Sequence, residues 1–117
     1  MVSKAQRPKV TTGVTTKKIT GCGNLYVTIN NAGNEILPIE VLARLGKSGG
    51  CTYCQNEALT KAITIGLRYG APLQEYINEL KGIQCSSPYM WPEEERTLSC
   101  PDAVASALME YLENYKV

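Results

Sequence analysis

The 117-residue sequence contains no histidine and no phenylalanine, and only one tryptophan. Without histidine it lacks the commonest metal ligand and the side chain that most often serves as a general base near neutral pH. Any chemistry must come from cysteine, lysine, tyrosine or carboxylates. Net charge is also nearly absent: 12 Lys and Arg against 11 Asp and Glu leave +1. Bulk charge therefore gives no argument for a nucleic-acid partner. Long apolar runs are missing too. No leading stretch reads as a signal peptide, and nothing approaches the roughly 20 apolar residues of a membrane span. No membrane association is expected, and a reducing cytoplasm suits the five cysteines. An odd number of cysteines also argues against a complete set of internal disulfides.

What is present describes one ordinary globular domain, 44% hydrophobic and 20% charged. The charge is unevenly spread. Lys4, Arg7, Lys9, Lys17 and Lys18 all precede the first acidic residue, Glu35, while Glu93, Glu94 and Glu95 form the one acidic run. A basic leading segment suits a polyanion. It suits better a solvated arm or a strand edge guarded by lysine.

Residues 1–9 are polar, contain Pro8 and read as a flexible arm, with a single domain over 10–117. Residues 10–20 are rich in valine, threonine and isoleucine, which predicts a strand. After "GCGN", residues 25–30 ("LYVTIN") alternate strictly: Leu25, Val27 and Ile29 against Tyr26, Thr28 and Asn30. A turn around Gly33 leads to a third strand at 39–45, with Pro38 at its entry. The pattern then changes period. Ala58, Leu59, Ala62, Ile63, Ile65 and Leu67 predict a helix over 52–69 with a broad buried face, ended by Gly70. Pro72 opens a second helix, striped by Leu73, Tyr76, Ile77 and Leu80 and stopped by Gly82. An irregular loop over 83–97 precedes a third helix. That helix begins at Ser99 or Cys100, with Pro101 in its first turn and Asp102 near the positive end of its dipole. The fold class is α+β: a three-stranded antiparallel sheet followed by three helices packed on one of its faces.

Two motifs carry chemistry. Cys22, Cys51, Cys85 and Cys100 sit at element junctions, where backbone N–H groups favour a thiolate. Four such thiolates could hold zinc, although only Cys51 and Cys54 form a short-spaced CxxC pair. Buried reduced thiols and a Cys51–Cys54 redox pair are the other readings. The second motif is "GKSGG", residues 46–50. A phosphate loop needs glycine where Val41 stands, so nucleotide hydrolysis of that kind is excluded. Lys47, Ser48, Gly49 and Gly50, with Arg44 nearby, still offer N–H groups and cations for an anion.

The segments "RPKVTTGVTTKKITGCGNLYVTIN", "LARLGKSGGC", "LKGIQCSSP" and "LSCPDAVASAL" together resemble the TSCPD domain over residues 7–112. That domain occurs near the C-terminus of adenosylcobalamin-dependent ribonucleotide reductases and in small stand-alone proteins. Leu98 replaces the leading Thr of the motif that names it. The family's recurring cysteines match Cys22, Cys51, Cys85 and Cys100, which leaves Cys54 as an extra and moves weight toward a four-cysteine cluster. The reductase's barrel and cobalamin domain have no counterpart here, so the resemblance implies no cobalamin and no ribonucleotide reduction by this chain alone. It implies an accessory or regulatory binding domain that docks on a reductase large subunit. Another reading is a stand-alone phage or bacterial protein that sequesters a nucleotide or cyclic nucleotide, with pockets at homo-oligomer interfaces. An enzyme using Cys51 or Cys54 as nucleophile is the third. "PYMWPEEE", with Trp91, is a candidate contact loop.

Overall fold

The computed structural model describes residues 3–33, 37–46 and 50–115. Strands β1 (Thr12–Thr20), β2 (Gly23–Asn31) and β3 (Pro38–Leu45) form one antiparallel sheet in the order β1-β2-β3. Helices α1 (Gly50–Arg68), α2 (Leu73–Leu80) and α3 (Cys100–Tyr115) follow. The α+β meander expected from the strand and helix periods is the fold observed.

The alternation of β2 decides which face is covered. Leu25, Val27 and Ile29 are fully or almost fully buried, and they pair in register with Leu45, Ala43 and Val41 of β3. Helix α1 packs on β3, α3 lies across β1 and β2, and α2 packs chiefly on α3. The core joins these strand residues to Ile63 and Leu67 of α1, Leu73 and Ile77 of α2, and Val104, Leu108 and Tyr111 of α3. Burying such side chains contributes about 1.5–3 kcal/mol each before chain entropy is subtracted. Tyr111 carries its hydroxyl into this core, where it accepts from Asn31 Nδ2 at 3.1 Å.

Helix α1 departs from the broad face expected of it. Its buried residues are Asn56, Thr60, Ile63 and Leu67, a narrow stripe that starts with two polar side chains. Ala58, Ala62 and Ile65 are exposed instead. For Thr60 the reason is local satisfaction: its Oγ1 donates to the Asn56 backbone carbonyl at 3.0 Å, so a hydroxyl can be buried at little cost. The loop expected over 83–97 is also more ordered than a purely irregular segment. It holds a single 3-10 turn at Glu93–Glu95, and Tyr89 and Thr97 exchange backbone hydrogen bonds at 2.8 and 2.9 Å. Trp91 is 76% exposed, so it does not anchor the loop to the core.

The leading segment is tied to α1 and β3. Ala5 N–H donates to the Arg68 carbonyl, and Arg7 forms an ion pair with Glu40 at 2.6 Å. Glu40 is buried and faces Asn30, its cross-strand partner. Its carboxylate accepts from Arg7 Nε, Arg7 Nη2 and Asn30 Nδ2, and Arg68 Nη2 lies 3.7 Å away. The hydrogen bond from Arg7 holds the Glu40 carboxyl below its ordinary range, against the opposing push of burial, and Asn30 and Arg68 add to the effect.

Candidate functional site

The four junction cysteines line one cleft. Cys22, Cys51, Cys85 and Cys100 face it with Thr52, Asn56, Leu59 and Ser99, around a volume of about 460 Å³. Three local features bring them together. Gly21, in the β1–β2 turn, lies so close to the loop after α2 that a Cβ there would stand 1.5 Å from the Ser87 carbonyl oxygen. This contact brings the turn that carries Cys22 against the loop that carries Cys85. Thr20 Oγ1, buried at the end of β1, accepts the Cys22 N–H at 3.1 Å and lies 4.0 Å from the Cys100 sulfur. Cys51 arrives with the first turn of α1, which Gly50 opens at φ 84°, a conformation that glycine adopts freely.

The residues 98–102 explain themselves structurally. Ser99 Oγ accepts the Asp102 N–H at 3.1 Å and donates to the Ile83 carbonyl, capping α3 while tying it to the end of α2. Asp102 does more than favour the dipole. Its two carboxylate oxygens accept the Gly82 N–H at 2.8 Å and the Leu98 N–H at 2.9 Å. Together these bonds lash α2, the following loop and the start of α3 into one junction, with Cys100 on its inner side.

The cleft has a distinct electrostatic character. Among the described residues no charged side chain lines it. Two long helices, α1 and α3, begin at it and present the positive ends of their dipoles. Cys100 is the one buried thiol, and burial pushes it above its ordinary value of 9.0, with Asn56 and Thr20 pulling the other way. Cys22, Cys51 and Cys85 are exposed. The four cysteines proposed as metal ligands therefore share a site. Among the described residues, however, no three Cys, Asp or Glu side chains converge as a metal ion requires. Cys54 is outside the cleft, and its thiol donates to the Cys51 carbonyl at 3.2 Å.

Of the expected phosphate-binding residues, Lys47, Ser48 and Gly49 lie outside the described residues. Gly50 and Arg44 are described. Arg44 Nη1 donates to the Tyr53 hydroxyl at 3.1 Å, which brings a guanidinium to the first turn of α1. That turn holds no acidic residue. Sequence reasoning missed Asn56. It is 3% exposed, it lines the cleft, and its Nδ2 has no hydrogen-bond partner among the described residues. The one available signal was its position four residues before Thr60 and seven before Ile63, on a helical stripe.

Among the described residues no helix is long and apolar enough to cross a membrane. The TSCPD domain model matches residues 1–112. Vitamin B12-dependent ribonucleotide reductases of Streptantibioticus cattleyicolor and Streptomyces clavuligerus are each 30% identical to this chain over 77 residues. The aligned stretch is 66% of this chain, but 13% of the first protein and 8% of the second. The chain thus matches a small fraction of the length of these curated relatives. No solved structure matches it. With the fold, the 98–102 junction and a match to nearly its whole length in agreement, the chain belongs to the TSCPD domain family.

Proposed function

We propose that this chain is a non-catalytic binding domain that acts as an accessory or regulatory partner of a vitamin B12-dependent ribonucleotide reductase. The observation that carries the reading is the 30% identity to such enzymes over 66% of the chain. An unpaired apolar stripe supports it. Ala58, Ala62 and Ile65 of α1, followed by Tyr69, recur at helical spacing and are exposed. A reductase large subunit or a second copy of the chain would cover this stripe. The test is co-purification of the tagged chain with a reductase large subunit, set against an Ile65→Lys variant. Retention of the wild type and loss of the variant support docking. Equal retention of both removes the stripe from the interface, and no retention of either removes the partner.

A second reading, a nucleotide-binding protein, draws on the first turn of α1. Gly50, the Arg44 guanidinium held by Tyr53 and the positive helix end suit a phosphate. A nucleotide that binds only the folded chain must raise its melting temperature. A panel of mononucleotides and cyclic nucleotides that produces no rise at about 1 mM removes this reading.

A further inference from the structure

The cysteine cleft holds a group that the protein leaves unfinished. Asn56 is 3% exposed and its Nδ2 has no hydrogen-bond partner among the described residues. A buried amide left in this state costs about 1–3 kcal/mol, a penalty that evolution rarely leaves in place without a use. Asn56 stands against Cys100, whose thiol can donate but is a weak acceptor. A side-chain amide offers one carbonyl and one NH2 group. The Cys100 S–H is turned to Thr20 Oγ1, so towards that sulfur the Asn56 NH2 group finds only a weak acceptor, and a strong one must come from outside the protein.

The rest of the cleft narrows the choice of acceptor. Its volume of about 460 Å³ suits a small organic molecule. With no charged side chain in the lining among the described residues, those residues give a phosphate no counter-charge within it. Thiols, Leu59 and Pro101 give apolar surfaces for a ring, while Gln55 can read a polar edge. The cleft also borders the first turn of α1, through Cys51 and Thr52, and Arg44 meets that same turn through Tyr53.

We infer that the cleft is a base-binding site: it takes a nucleobase bearing a ring carbonyl, whose oxygen accepts from Asn56 Nδ2, while the phosphate lies outside at the start of α1. This rests on the nucleotide reading above and assigns the half of the ligand that reading left open. Guanine, cytosine, uracil and thymine carry such a carbonyl, whereas adenine offers the amide only ring nitrogens.

The cysteines supply the readout. A base in the cleft must shield Cys22, Cys51 and Cys85 from alkylation, whereas exposed Cys54 lies outside it and serves as an internal control. The full reduced chain is labelled with N-ethylmaleimide, and the rate at each cysteine is read by mass spectrometry with and without GMP, UMP, TMP or AMP. At a ligand concentration about ten times its dissociation constant, labelling of the three cleft thiols slows about tenfold, Cys54 is unchanged, and AMP protects least. Asn56→Asp, which replaces the donor by an acceptor, and Asn56→Leu, which keeps the volume, both abolish protection. Either variant suffices if the other does not fold. A nucleotide that raises the melting temperature but leaves the three cleft thiols unprotected overturns the inference and spares the nucleotide reading. Full protection in a folded Asn56 variant also overturns it. If no nucleotide raises the melting temperature or protects any thiol, both readings fall.

Discussion

Two buried polar side chains, Glu40 and Asn56, receive opposite treatment from the fold. Glu40 lies on β3, beneath the leading segment, and every neighbour serves it: Arg7, Arg68 and Asn30 supply donors to its carboxylate. Asn56 lies on α1 at the cysteine cleft, where its NH2 group has no hydrogen-bond partner among the described residues. The first region completes its polar groups and so contributes to stability. The second leaves them incomplete around a cleft, which is how a protein keeps a surface ready for something else.

Substitutions test this contrast directly. The largest effect is expected from Glu40→Ala, which leaves Arg68 and Asn30 facing a vacated site. Arg7 and Arg68 can regain water, so the loss falls below that of a fully buried pair, at about 2–3 kcal/mol, read from urea denaturation. An unchanged midpoint would mean that the ion pairs contribute nothing net. Next comes Gly21→Ala. Its Cβ would meet the Ser87 carbonyl at 1.5 Å. Forcing the turn and the loop apart costs about 1–3 kcal/mol and speeds alkylation of the buried Cys100. Wild-type stability and labelling would show that this contact does not hold the cleft together.

The pH dependence sharpens the comparison. The Glu40 carboxyl is held below its ordinary value of 4.5, so between the folded and unfolded values the unfolded chain binds more protons. Its stabilising contribution is present above 4.5 and is lost as pH falls through the folded value. A denaturant midpoint followed below pH 6 should decline in the wild type and flatten in Glu40→Gln. Parallel curves would place the acid sensitivity elsewhere. The smallest effect has the opposite sign. Asn56→Leu removes an NH2 group with no hydrogen-bond partner among the described residues, without opening a cavity, and should stabilise the ligand-free chain by about 1 kcal/mol in thermal or urea unfolding. Destabilisation of that size would show that the amide is satisfied after all, and the two regions would no longer differ.

Legibility in the sequence followed the strength of the local signal. The alternation of Leu25, Val27 and Ile29 predicted both the strand and its buried face, because strand periodicity maps directly onto one side of a sheet. The stripe Leu73 and Ile77 marked the inner side of α2 in the same way. Helix α1 was harder to read, since alanines and Ile65 look as apolar as core residues until neighbours are placed, and Asn56 and Thr60 look like surface. The grouping of Cys22, Cys51, Cys85 and Cys100 was suggested by family resemblance, and their position at junctions was visible. Their arrangement around a cleft depends on Gly21 meeting Ser87, a contact between residues 66 positions apart (87 − 21). No local pattern encodes such a contact.

By itself, then, the sequence determined the order of strands and helices, the inward face of β2, and the resemblance that assigns the family. These depend on periodicity and on motifs, which are properties of neighbouring residues. Only the tertiary structure decided that Glu40 is saturated with donors, that Asn56 Nδ2 finds no acceptor among the described residues, and that Cys54 stands apart from the other four cysteines. Each of these depends on which distant backbone or side chain closes within hydrogen-bonding range. That is settled when the hairpin turn, the loop after α2 and the starts of α1 and α3 are packed against one another.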